Sequence, residues 1–363
     1  MDIAVPKYLQ QLKPYVAGKP IAEVQAQYGI SSPTKLASNE NPLGPSPKAI
    51  EAISKALKDI HRYPDSHCLS LRRKLATYLQ IEERQIVLGN GSDEIMALIG
   101  QALLLPEEEV ITPYPAFSIY EKVAVMAQAR LFKVPLKELK IDLKKIREKV
   151  SSKTKLIFLT NPHNPTGSFL EKEELVVFLK NLPSSVLVVL DEAYIDFVQP
   201  QRRFNSIALL ENFPNLIILR TFSKAYGLAG LRIGYGILTP ELARFLETVR
   251  YPFNVNALAQ IGATAALDDK DFLEKTQHTI WEGRQFLTAA LTSLGVKVYP
   301  SEANFLLIYV GKKAKKIYED LLKKGIIVRP MVSYALADYL RISIGKPEEN
   351  QAFIETFKEI WQK

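Results

Sequence analysis

Between residues 47 and 250 of this 363-residue chain, short apolar runs alternate with helix-spaced patterns. Ile86-Val87-Leu88, Glu109-Val110-Ile111-Thr112, Leu156-Ile157-Phe158-Leu159, Val186-Leu187-Val188-Val189-Leu190, Leu216-Ile217-Ile218-Leu219 and Ile233-Gly234-Tyr235-Gly236 predict strands. Several of these runs are apolar at every position, the pattern of a strand covered on both faces. Helical spacing intervenes: Ile50, Ile53 and Leu57 recur three and four apart after Pro47, and further helices are predicted over 93–105, 117–129 and 172–179. The alternation predicts an α/β fold whose sheet is mostly parallel and carries helices on both sides.

After about residue 253 the texture changes to long helical patterns with a few strands, Ala303 to Ile308, Ile326-Ile327-Val328 and the alternating run Leu340-Arg341-Ile342-Ser343-Ile344. A last helix starts at Pro347, with Glu348 and Glu349 in its first turn, where negative charge suits the helix dipole. The first 40 or so residues, rich in Pro and Gly, read as an extended arm. The predicted organisation is therefore an arm and part of a small domain over 1–44, a large domain over 45–252, and a C-terminal small domain over 253–363.

Composition narrows the function classes. Hydrophobic residues make up 47% and charged residues 24%, ordinary for a globular protein. The formal charge of +8 is spread among acids, and no basic stripe interleaved with aromatics is present, so nucleic acid is not expected as a partner. The densest basic run, Lys312-Lys313-Ala314-Lys315-Lys316, reads as the solvated start of a helix. Cys68 is the lone cysteine, and the four histidines show no ligand spacing, so no metal site is expected. With no apolar run of membrane length and no signal-like start, the expected location is cytoplasmic.

Candidate chemistry lies at predicted strand ends, where open α/β sheets collect ligands. Gly89-Asn90-Gly91-Ser92-Asp93 passes from a strand into a helix, either a plain turn or a phosphate cradle built on free N–H groups. It matches neither nucleotide-binding glycine pattern. Asp191 ends the most apolar strand, as a capping acid or a functional carboxylate, with Tyr194 three residues on. Asn164 precedes Pro165-Thr166-Gly167. Tyr114, in Pro113-Tyr114-Pro115, suits either a core position or a face that stacks on a flat ring. Lys224 follows another apolar run in Thr221-Phe222-Ser223-Lys224-Ala225-Tyr226-Gly227-Leu228-Ala229-Gly230-Leu231-Arg232. Arg329 and Arg341 sit in strand-like runs, where a guanidinium fork serves carboxylate or phosphate.

In this order, Asn164, Asp191, Tyr194, Ser223, Lys224 and Arg232 resemble the cofactor set of pyridoxal-phosphate enzymes of the aspartate-aminotransferase fold. The resemblance implies fold type I, with a large and a small α/β domain. It implies Lys224 as the Schiff-base lysine and proton carrier, Asp191 at the pyridine nitrogen, and Asn164 and Tyr194 at the phenolic oxygen. Tyr114 would lie on the ring face, and Gly91, Ser92, Asp93, Ser223 and Arg232 would lie at the phosphate.

Three further segments resemble histidinol-phosphate aminotransferases: Leu12-Lys13-Pro14-Tyr15 with Lys35 to Gly44, then Arg62-Tyr63-Pro64-Asp65, then Gly325 to Pro330 with Leu340 to Gly345. That likeness implies a homodimer in which Tyr63 reaches the neighbouring cofactor's phosphate. Tyr15 and Asn39 would border the substrate, and Arg329 and Arg341 would hold its anionic end. The implied reaction converts histidinol phosphate and 2-oxoglutarate to imidazole-acetol phosphate and glutamate, reversibly, in histidine biosynthesis. Ser333 and Ala335 stand where relatives often carry glycines, which changes the loop after Arg329. Relatives on the same framework transaminate phenylalanine or tyrosine, or decarboxylate threonine phosphate, and these are the alternative activities.

Overall fold

The computed structural model describes residues 5–14 and 18–363. Helix α1 (Ile21–Tyr28) leads to strand β1 (Thr34–Lys35), then α2 (Pro47–Ala56) and α3 (Leu69–Leu79). The central body runs β2 (Ile86–Gly89), α4 (Ser92–Leu103), β3 (Glu109–Tyr114), α5 (Ile119–Met126), β4 (Arg130–Pro135), α6 (Leu143–Lys149), β5 (Thr154–Thr160), α7 (Lys172–Lys180), β6 (Leu187–Asp191), β7 (Leu216–Thr221) and β8 (Gly234–Ile237). Three helices follow: α8 (Pro240–Val249), α9 (Ala257–Ala266) and the long α10 (Lys270–Ser293). The C-terminal part holds β9 (Lys297–Val298), β10 (Phe305–Tyr309), α11 (Ala314–Lys323), β11 (Ile326–Ile327), β12 (Arg329–Pro330), β13 (Tyr339–Ser343) and α12 (Pro347–Trp361).

The large sheet has strand order β2-β8-β7-β6-β5-β3-β4. Strand β8 is antiparallel to both its neighbours, and the other pairs are parallel. The apolar runs of β5, β6 and β7 are fully buried from Leu156 to Leu159, Val188 to Leu190 and Leu216 to Leu219. Alternate side chains feed two separate cores: Val188, Leu190 and Ile218 on one face, Leu187, Val189 and Ile217 on the other. Two covered faces explain why these strands show no polar alternation.

Strand β4 escaped the apolar reading. It forms the sheet edge beside β3, and Val134 is its only buried residue. Arg130 and Lys133 charge that edge, which opposes pairing with another chain. The amino-terminal stretch, expected as an extended arm, carries α1, closed by Gly29 in the left-handed conformation. It joins the C-terminal part through β1, which pairs parallel with β11. A four-stranded sheet, β12-β13-β10-β9, completes that part.

The boundary drawn at 253 from sequence texture falls before α9, which packs on α2 and α3. Helix α10 is the element that passes between the parts. Early on, Gln277 Nε2 and Trp281 Nε1 donate to Asp196 and Phe197 carbonyls at 2.8 Å. From Gly283 onward it meets Ile344 and Asn350 of the C-terminal part, and it packs along α12. The basic run at Lys312 is exposed at the start of α11, as its pattern predicts. Among the described residues no cluster of His, Cys, Asp and Glu fits a metal ion, and no helix is long and apolar enough to cross a membrane.

Candidate active site

A cavity of about 440 Å³ opens where β5, β6 and β7 end, at Thr160, Asp191 and Thr221. Residues 37–40 and the arginines of β12 and β13 form its opposite wall. One end is built for an anion. Gly91, at φ 79°, starts α4 with no side-chain cap, leaving the first-turn N–H groups to another acceptor. A Cβ at Gly91 would stand 2.7 Å from Arg232 Nη2, so the arginine packs where only glycine leaves room. Arg232 itself adopts the left-handed backbone (φ 56°) and donates Nη1 to Ser223 Oγ at 3.4 Å and to the Ala229 carbonyl at 3.1 Å. Ser92 and Asp93 line the same end, and burial raises the Asp93 carboxyl despite Arg232 nearby.

Lys224 enters from the turn after β7 and donates to the Ser38 carbonyl at 3.3 Å. Burial, reinforced by Arg341, lowers its amine from 10.5 to about 8. A neutral amine is the nucleophilic form, so the cavity favours the state that attacks a carbonyl. Asp191, at the end of β6, is buried and accepts from Tyr120 Oη at 2.7 Å and from the Ala193 N–H at 3.1 Å. Burial pushes its carboxyl up to about 6, and Tyr120 opposes the shift. Such a carboxylate gains most from a cationic partner, and a protonated ring nitrogen is one.

The Tyr194 hydroxyl accepts from Asn39 Nδ2 at 3.1 Å and Asn164 Nδ2 at 3.5 Å. Asn39, left-handed at φ 55°, is tied to Ser343 through its N–H (2.8 Å) and its Oδ1 (2.9 Å). Arg341 Nη1 donates to Asn164 Oδ1 at 2.6 Å and Nη2 to the Ala37 carbonyl at 3.1 Å, with the guanidinium 5.0 Å over the Phe305 ring. Its Nε is buried without an acceptor. Arg329 stands directly opposite Arg341 in the β12–β13 register, and each is 5% exposed. Like charges opposed across strands are unfavourable, and a shared anion relieves them.

The cavity thus gathers Asn39, Ser92, Asp93, Asn164, Asp191, Tyr194, Ser223, Lys224, Arg232, Arg329 and Arg341, with Gly91 behind Arg232. Tyr114 lies outside the lining of this cavity. It ends β3 beside the edge strand β4, its ring lies 5.1 Å from Lys133 Nζ, and it lines a neighbouring cavity. Phe117, three residues on, lines the main cavity in its stead. Tyr63 lies away from this cavity, 83% exposed and stacked on Phe253 at 4.7 Å. Tyr15 falls outside the described residues. Sequence reasoning also missed Tyr120, fully buried, which bonds Thr160 Oγ1 at 2.6 Å as well as Asp191. A tyrosine on the buried face of α5 must find a partner for its hydroxyl, and that was the available signal.

The family model for aminotransferases of class I and II matches residues 31–357. The chain is 45% identical to histidinol-phosphate aminotransferase 1 of Nitrosococcus oceani, over 98% of this chain and 96% of that protein. It is 44% identical to the histidinol-phosphate aminotransferase of Moorella thermoacetica, over 96% of this chain and 91% of that one. The crystal structure of the Sinorhizobium meliloti histidinol-phosphate aminotransferase, in complex with pyridoxal-5'-phosphate, superposes with a TM-score of 0.90 at 30% identity, covering 99% of this chain and 97% of that one. By the extent of that match and these identities, the chain belongs to the class I and II aminotransferases.

Proposed function

We propose that the chain is a pyridoxal-phosphate-dependent transaminase of histidine biosynthesis. Its substrates are histidinol phosphate and 2-oxoglutarate, and its products are imidazole-acetol phosphate and glutamate. Relatives 45% and 44% identical over nearly the whole chain bear that name. The observation that carries the reading is the buried Arg329–Arg341 pair facing the cavity that holds Lys224. A paired guanidinium site takes either the carboxylates of glutamate or the phosphate of the other substrate.

The residues fit the cofactor. Gly91, Ser92, Asp93, Ser223 and Arg232 would hold its phosphate, with the partner subunit contributing Tyr63. Asp191, steadied by Tyr120, would keep the ring nitrogen protonated. Asn164 and Tyr194 would bond the phenolic oxygen, and Phe117 would cover a ring face. Bound there, pyridoxal phosphate supplies a carbonyl that takes up amines and a ring that accepts the electrons released at the substrate's Cα. The Lys224 amine, its pKa lowered to about 8, would take and return the proton at the substrate's Cα. Positioned transfer of this kind gives about 10²- to 10⁴-fold. Arg341, Arg329 and Asn39 fix the substrate so that its Cα hydrogen faces Nζ, and Tyr15 would border it.

The exposed aromatic patch of Tyr63 and Phe253, with Tyr251 72% exposed two residues before Phe253, supports a homodimer. A cytoplasmic location accords with the lone cysteine. Steady-state rates with histidinol phosphate, phenylalanine and threonine phosphate test the assignment. Histidinol phosphate should give the highest kcat/KM, dependent on a keto-acid acceptor, and Lys224→Ala should abolish it. A preference for phenylalanine would make the enzyme an aromatic transaminase, and acceptor-independent release of carbon dioxide from threonine phosphate would make it a decarboxylase.

A further inference from the structure

Lys122, on α5, lines both the main cavity and the cavity beside it. The second cavity, about 530 Å³, is walled by Tyr114, Lys133, Val332 and Ser333, and it shares Arg329 and Tyr334 with the first. Lys122 therefore stands at the junction of the two. It is half-buried, and among the described residues it has no ion-pair partner. The nearby acids are shared: Glu121 pairs with Lys133 at 3.0 Å, and Asp93, 3.7 Å from Arg232, answers the charges of Arg232 and Lys224 as well as that of Lys122. A half-buried ammonium that must share its nearest carboxylate with two other cations is incompletely compensated, and a bound anion adds to that compensation.

The chemistry of the two substrates says which anion. In glutamate the carboxylate carbon is bonded to Cα, whereas in histidinol phosphate the phosphorus stands two atoms farther out. Arginines set to grip the carboxylate leave part of the phosphate reaching beyond them. Lys122, which lines the same two cavities as Arg329 and carries a long flexible stem, is placed to meet that overhang. We infer that Lys122 is a specificity-determining residue that binds the substrate's phosphate, selecting a phosphate monoester of an amino alcohol over an amino acid with an uncharged aromatic side chain. This rests on the transaminase assignment above, and no role in the proton transfer is involved.

The test uses the holoenzyme with 2-oxoglutarate saturating, and compares kcat/KM for histidinol phosphate with that for phenylalanine in the native protein, Lys122→Met and Lys122→Arg. Loss of a charge-assisted bond should lower this ratio roughly ten- to a hundredfold in Lys122→Met, mainly through KM for histidinol phosphate. Lys122→Arg, which keeps the charge, should retain most of it. Titration of the apoproteins with pyridoxal phosphate supplies an independent readout, and affinity should be the same in all three. A ratio unchanged within threefold overturns the inference. So does a matching loss of pyridoxal-phosphate affinity, which would assign Lys122 to the cofactor's phosphate. Failure of the native enzyme to accept histidinol phosphate would instead bring down the transaminase assignment, and Lys122's role with it.

Discussion

Lys224 is held where burial and the Arg341 guanidinium both work against its charge, which sets its amine at about 8 instead of 10.5. The protonated form dominates below that value, so capture of pyridoxal phosphate by the apoprotein should accelerate as pH rises towards 8 and level off above it. A rate still climbing in proportion to hydroxide past pH 10 would contradict this setting. The same shift has a stability consequence of definite sign. Between about 8 and 10.5 the unfolded chain keeps a proton that the folded one has lost, so this group makes the apoprotein more stable as pH rises through the window. Denaturant titration of the apoprotein across that window, compared with Lys224→Met, isolates the contribution. A slope that is the same in both proteins would exclude it.

At the scale of elements, the turn after β7 is fastened to the loop before α2. Gly227, at φ 70°, leaves no room for a Cβ against the backbone of Gly44 and Pro45, and the Ser46 N–H donates to the Tyr226 carbonyl at 3.4 Å. Gly227→Ala combines a left-handed conformation with a backbone clash, and should cost about 2 kcal/mol or more, with weakened cofactor binding because Lys224 is three residues away. Thermal unfolding of the apoprotein checks it, and an unchanged midpoint would mean the two segments can part freely. The elements also show why the sequence was legible where it was. Strands β5, β6 and β7 are buried on both faces, so burial alone wrote their pattern. Strand β4 has one buried side chain at a charged edge, and no periodicity distinguishes that from a loop. Which of Tyr114 and Phe117 lines the main cavity has a related cause: it depends on how the chain turns after β3, and both are aromatic.

For the whole molecule, the residues that line the main cavity were legible because most of them follow a strand end or open a helix, and their order along the chain survives folding. The Arg329–Arg341 pairing, the Tyr120–Asp191 bond and the junction at Lys122 were not, since each depends on packing between distant segments. The surface around Tyr63 belongs to this scale too. Tyr63 is 83% exposed and Phe253 43%, stacked on each other at the surface. Sedimentation equilibrium should find a dimer, and Tyr63→Ala should lower the holoenzyme's cofactor affinity more than the stability of the isolated fold. A monomer with full activity would remove the partner's Tyr63 from the site.

Lys224, Asp191 and the arginine pair are proposed to serve one amino transfer from histidinol phosphate. The most direct measurement mixes the purified holoenzyme with histidinol phosphate in the absence of a keto acid and follows the absorbance of the bound cofactor. The yellow colour should be lost as the cofactor takes the amino group, and should return when 2-oxoglutarate is added. An unchanged spectrum with histidinol phosphate, alongside bleaching by phenylalanine, would contradict it.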